Sequence, residues 1–161
     1  MRSKAYDRGA AVRYAERWAL GRNPAYADFD GLGGDCTNFV SQCVYAGAGV
    51  MNYTPDTGWF YAALNRRAAA WTGVSQFSRF ITTNTGPGPY GRLAGRQELQ
   101  PGDVIQLGNA EGVFYHSLLL LSATPDAIYV AAHTVDSLWR ALDSYRYAKA
   151  QYIHILGVKY Y

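Results

Sequence analysis

The feature that most constrains this chain is a change of hydrophobic period near residue 104. Before it, apolar residues recur at the helical period. After it, they run in short strand-length blocks separated by turn residues. Residues 8–20 carry Ala11, Val12, Ala15, Trp18 and Ala19 on one helical face, and Gly21 with Asn23-Pro24 closes that segment. A second helix is predicted from about Cys36 to Ala46, with Phe39, Val40, Cys43 and Val44 as its apolar face and Gly47 and Gly49 as stops. Residues 57–68 and 75–83 read as a third and fourth helix, and the glycine- and proline-rich stretch 84–102 as loop. Strands follow at 104–107, 113–121, 127–133 and 151–158, with Thr124-Pro125-Asp126 as hairpin chemistry between the second and third. Helices first and antiparallel strands after them predict an α+β fold, with N-terminal helices packed on a C-terminal antiparallel sheet.

A length of 161 residues predicts one domain over 1–161, large enough to bury a core without disulfide or metal staples. Cys36 and Cys43 sit seven apart on one predicted helix. Their backbones are then roughly 10 Å apart along its axis, beyond disulfide reach. With three distant histidines they also make a poor zinc set, and no metal or cofactor is expected. The net charge is +3, and the basic residues are scattered without a stripe or long run, which argues against a nucleic-acid binder. A mild attraction to anionic polymers such as a bacterial wall remains open. No stretch of 18 apolar residues occurs, so no transmembrane helix is predicted. Met1-Arg2-Ser3-Lys4 leads directly into an amphipathic pattern, so no signal peptide is predicted either.

The stretch Gly33-Gly34-Asp35-Cys36-Thr37-Asn38-Phe39 carries the clearest chemical signal. It sets a cysteine at the first turn of a buried helix, where unpaired N–H groups concentrate positive potential. A thiolate is stabilised there, and the same N–H groups can hold an oxyanion. Asp35 is read as the N-cap, and the preceding glycines allow close approach to the sulfur. Taken alone, the stretch also suits an ordinary half-buried cysteine. Cys43, mid-helix on the apolar face, reads as packing. His116, inside the apolar strand Phe114-Tyr115-His116-Ser117-Leu118, is the best-placed base for Cys36, with a core histidine as the alternative. A hairpin centred between Thr124 and Pro125 sets His133 opposite His116 on the same face, where it would orient the base. A slip of one residue reverses that placement. Asp136 and Asp126 are the fallback orienters. His154 alternates with Ile153 and Ile155 and reads as solvent-facing, with no role. Trp59, Tyr61 and Trp71 could line a cleft, with core packing as the default.

The run Gly-Gly-Asp-Cys-Thr-Asn-Phe-Val-Ser-Gln-Cys at 33–43 strongly resembles the "Putative amidase domain" family of bacteria, also called amidase 6. Other pieces match in order: Tyr6-Asp7-Arg8 with Ala10-Ala11-Val12 and Tyr14-Ala15, Asn23 to Tyr26, Trp71 to Val74, Pro101 to Ile105, His116-Ser117, and Ala132 to Thr134. That family is similar to the NlpC/P60 and CHAP cell-wall hydrolases of the papain-like superfamily. The resemblance implies a papain-like fold with Cys36 as nucleophile, His116 as base and His133 as the third polar residue. Asp35 matches the acidic residue that often precedes such nucleophiles, and it is assigned with Trp59 to substrate binding. The implied activity is thiol-dependent hydrolysis of amide bonds in a peptide or peptidoglycan fragment, through an acyl-enzyme. The family favours an extracellular or envelope location. The alternatives are an acyl- or peptidyl-transferase on the same catalytic set and a non-catalytic binding domain.

Overall fold

A computed structural model describes residues 1–161. The chain runs β1 (Arg2–Lys4), α1 (Arg8–Trp18), α2 (Cys36–Ala48), β2 (Tyr61–Ala63), β3 (Arg66–Arg67), α3 (Ala69–Thr72) and α4 (Val74–Thr83). It continues through β4 (Gly88–Ala94), β5 (Val104–Gly108), β6 (Phe114–Ala123), β7 (Ile128–Ala132), β8 (Ser137–Ala141) and β9 (Lys149–Tyr160). Seven strands form one antiparallel sheet in the order β1-β9-β5-β6-β7-β8, with β4 also paired to β9. The architecture is α+β, as the change of period predicts.

Local chemistry explains the helix ends. Asp7 caps α1, its Oδ1 accepting from Ala10 N at 2.9 Å. The small Ala11 and Ala15 let α1 lie close to its neighbours. α2 is buried nearly all round, which marks it as the central helix of the layer. It stops at Gly49, whose φ of +68° is the left-handed cap that favours glycine.

Two predicted elements differ. Residues 57–68 are not a helix. Trp59 exchanges both backbone hydrogen bonds with Asn52, and β2 and β3 form a small hairpin turning at Leu64-Asn65. Aromatic strand propensity and a turn-forming asparagine win there over the helical period. The loop predicted at 84–102 contains β4, an edge strand where Pro89 is tolerated. The pairing slips between Tyr90 and Gly91, and a Cβ on Gly91 would lie 2.2 Å from the His154 carbonyl oxygen. Glycine here marks a bulge rather than a loop. β1, of three residues, is too short to show a period, and β8 has no buried residue to give one.

The sheet has two apolar faces. Leu119, Leu121, Val104 and Ala131 pack with Phe39, Val40, Val44 and the α1 alanines. Leu118, Leu120, Leu107, Val130 and Ala132 pack on the other side with Leu99 and Leu142. The helices cover the first face. The second is closed by the short 3₁₀ turns Arg96–Glu98 and Leu142–Ser144 and their flanks. This division decides which sequence candidates can meet.

Candidate active site

Cys36 is the first residue of α2 and is 8% exposed. The backbone N–H groups of Cys36, Thr37 and Asn38 have no intramolecular acceptor, the ordinary state of a first helical turn. They form a cluster of free donors beside the sulfur. The Sγ lies 3.8 Å from Thr37 Oγ1 and makes no hydrogen bond to an imidazole.

Asp35 is fully buried and differs from expectation in two ways. It makes no side-chain cap bond to α2. Instead its Oδ1 accepts from Phe29 N and from Asn38 Nδ2, both at 2.8 Å, and its Oδ2 accepts from His133 Nδ1 at 2.5 Å. Burial alone would push this carboxyl up. The bonds from His133, Phe29 and Asn38 outweigh that and hold it below the usual carboxylate range. With its oxygens enclosed and engaged, Asp35 has no face for substrate. It ties the loop before Cys36 to the end of β7.

His133 lies just beyond β7, also buried, and stacks on Phe39 with ring centroids 4.1 Å apart. Phe39 is one turn along α2 from Cys36, so this imidazole stands on the helix side of the sheet. Its Nε2 lies 2.9 Å from the Trp18 carbonyl oxygen and 3.3 Å from Arg22 Nη1. The Asp35 carboxylate only accepts, so Nδ1 carries an N–H toward it, while Nε2 lies between an acceptor, the Trp18 carbonyl, and a donor, the Arg22 guanidinium.

The predicted hairpin register is corrected. Leu119 pairs with Ala131 and Leu120 with Val130, followed by a bulge before Ser122–Tyr129. This is one residue off the register that sets His116 opposite His133. Continued to the strand end, the observed register aligns His133 with Ser117. Strand alternation then sends His116 to the far face with Leu118, Leu120 and its β5 partner Leu107. There it lies 5.8 Å from Tyr145, centroid to centroid, and has no hydrogen bond. Burial, assisted by the Arg140 cation, pulls its pKa down to about 4, so it is neutral near pH 7. Asp35, the chain neighbour of Cys36, is paired with His133, and no hydrogen bond joins His116 to Cys36, Asp35 or His133.

Trp59 is also corrected. It is fully buried, packs against Trp71 and Phe80, and donates from Nε1 to Ser41 Oγ at 3.0 Å. It is core, not cleft wall. Cys43 is buried in the same core, and burial pushes its thiol well up. His154 does not simply face solvent: its Nδ1 lies 2.7 Å from the buried Asp103. Asp126 is exposed at the hairpin tip.

Sequence reasoning missed Arg22. Its guanidinium pairs with Asp136 at 2.8 Å and Asp30 at 2.5 Å, and its Nε lies 3.3 Å from Asp28 and 3.5 Å from Asp35. One arginine gathers four carboxylates and braces the Asp35–His133 pair from the loop side. The hydrogen bonds it donates to Asp136 and Asp30 hold it in its charged form. The Asp28-x-Asp30 spacing in the same α1–α2 connection was the visible signal, but Asp136 comes from the β7–β8 turn.

The chain is 33% identical over 139 residues to the uncharacterized protein YhbB of Bacillus subtilis (strain 168), covering 84% of this chain and 43% of YhbB. It is 29% identical over 143 residues to the uncharacterized protein YjcM of the same organism, covering 84% of this chain and 32% of YjcM. The chain therefore spans less than half the length of either relative. No solved structure matches it. The family model described as "Putative amidase domain" matches residues 5–156, from before α1 into β9, and the chain belongs to that family.

Proposed function

We propose that this chain is a thiol-dependent amide hydrolase with Cys36 as nucleophile, acting on a peptide or peptidoglycan fragment within a papain-like arrangement. The observation that carries the reading is the cysteine at the first position of a buried helix, beside three unpartnered N–H groups. The thiolate attacks an amide carbonyl and forms a C–S bond. The free N–H groups receive the oxyanion. The amine leaves with a proton from an imidazole, and water then cleaves the thioester and restores the thiol. An amine in place of water makes the same site a transferase.

The proton-transfer role is assigned to His133, which stands on the helix side and is oriented by Asp35. It serves once Nε2 leaves the Trp18 carbonyl. His116 is the second reading, favoured by its unpartnered, neutral ring, and it requires the start of β6 to turn toward α2. The test is incubation with purified peptidoglycan and muropeptides, with mass-spectrometric product detection and an added amine in a parallel reaction. Cys36→Ala abolishes product. His133→Ala slows it roughly a hundredfold or more, while His116→Ala stays within a few-fold. The reverse order transfers the role to His116. Full activity in Cys36→Ala removes the thiol mechanism.

A further inference from the structure

We propose that Thr37 donates a hydrogen bond directly to the Cys36 thiolate, its hydroxyl aimed by Ser117 and Gln106. The inference rests on the reading of Cys36 as nucleophile and adds a device for holding its charge that no imidazole supplies here. Thr37, Ser117 and Gln106 are buried at the contact between α2 and the sheet. Thr37 Oγ1 lies 2.9 Å from Ser117 Oγ and 3.8 Å from Cys36 Sγ. Gln106 Nε2 lies 3.2 Å from Ser117 Oγ and 2.9 Å from the Val74 carbonyl oxygen.

Donor accounting sets the direction. The Val74 carbonyl can only accept, so the Gln106 NH₂ faces it, and Gln106 Oε1 is left to accept from Gln151 Nε2 at 2.7 Å. The second Gln106 N–H then points at Ser117 Oγ, which accepts. The Ser117 proton has one acceptor within reach, Thr37 Oγ1. The Thr37 proton has one remaining partner, the Cys36 sulfur. The opposite direction leaves the Ser117 hydrogen buried without an acceptor, the expensive outcome for a polar group away from water. Thr37 lacks the usual outlet of a helical threonine, because the carbonyl four residues back lies before the helix begins. The chain Gln106→Ser117→Thr37→Cys36 therefore ends in a hydroxyl hydrogen presented to sulfur. Thr37 touches the reacting atom, and Ser117 and Gln106 are positioning residues.

The test is the pH profile of iodoacetamide alkylation at Cys36, read by peptide mass spectrometry on the full chain, with Cys43 as the slow internal control. Thr37→Val keeps the shape and removes the donor. It slows Cys36 alkylation roughly tenfold at pH 6.5, the effect of one hydrogen bond to a charged group, and converges on wild type above pH 10. Thr37→Ser restores the profile. A folded Thr37→Val protein with the wild-type profile overturns the proposal. Where Thr37→Val fails to fold, Ser117→Ala is read instead: a slower rate at pH 6.5 supports the relay, and an unchanged profile overturns it. Alkylation needs no turnover. Peptidoglycan cleavage that survives Cys36→Ala would thus remove the nucleophile reading while leaving this result to stand or fall by itself.

Discussion

Asp35 and Cys36 are neighbours in the chain and opposites in role. Asp35 turns inward to His133, Phe29 and Asn38, while Cys36 keeps the one slightly open position at the head of α2. His116 and Asp35 respond to acid in distinct windows. His116 has a folded pKa of about 4 against an ordinary value of 6.5, so the unfolded chain takes up its proton first. Its contribution to stability is present above pH 6.5 and is lost as pH falls from there toward 4. Asp35, held below the usual carboxylate value, keeps its contribution above that value and loses it at still lower pH. Urea midpoints of wild type and His116→Leu, compared at pH 7.5 and 4.5, should show a larger acid loss in wild type. Equal losses would mean that His116 does not take up its proton later in the folded chain than in the unfolded one.

At the scale of elements, the β7–β8 turn is the joint that brings the site together. Thr134 and Val135 both adopt left-handed backbone, with φ of +63° and +57°. This is uncommon for β-branched residues and costs roughly 1–2 kcal/mol each. Thr134 has a use for it: its Oγ1 accepts from Asp35 N at 3.3 Å, joining the turn to the loop before α2. Val135 is 76% exposed and holds nothing comparable. Val135→Gly should therefore stabilise the fold by about 1 kcal/mol, measured by urea denaturation, with amide hydrolysis unchanged. Destabilisation would show that the valine side chain has a contact beyond those described. The bulge before Ser122 acts on the same joint. It shifts the β6–β7 pairing by one residue, and one residue is enough to send His116 to the far face.

At the scale of the whole molecule, Asp103 joins both ends of the chain to the middle. Fully buried, it accepts from Arg8 Nη1 at 2.8 Å, Gln100 N at 2.9 Å, Ile155 N at 2.9 Å and the His154 ring at 2.7 Å. Arg8 also donates from Nη2 to the Ile155 carbonyl at 2.6 Å. α1, the turn before β5, and β9 thus share one carboxylate. Asp103→Asn keeps the shape but puts a donor where four donors converge. It should cost roughly 3–5 kcal/mol, visible as a large fall in the thermal midpoint. A change under about 1 kcal/mol, within the usual range of surface substitutions, would show that the junction carries little of the fold. No helix is long and apolar enough to cross a membrane, and the sheet with its helical layer forms without one.

Period and punctuation in the sequence determined much of this molecule. The amphipathic spacing of 8–20 and 36–46 produced α1 and α2, because a helix with one apolar stripe has one way to bury it. The apolar blocks after residue 104 produced β5, β6, β7 and β9, and the glycines and cysteine at 33–36 located the head of α2. The tertiary structure decided the rest. A bulge is invisible to a period-two pattern, so the β6–β7 register and the face taken by His116 appeared only once the strands were paired. Burial belongs to neighbours rather than to residue type, so Trp59 and Asp35 became interior groups and Arg22 became a hub for carboxylates far apart in the chain. The direction of the Gln106–Ser117–Thr37 chain needed Val74, on another helix, to turn one amide. Local signals placed Cys36 at the head of α2, and contacts distant in sequence decided its company.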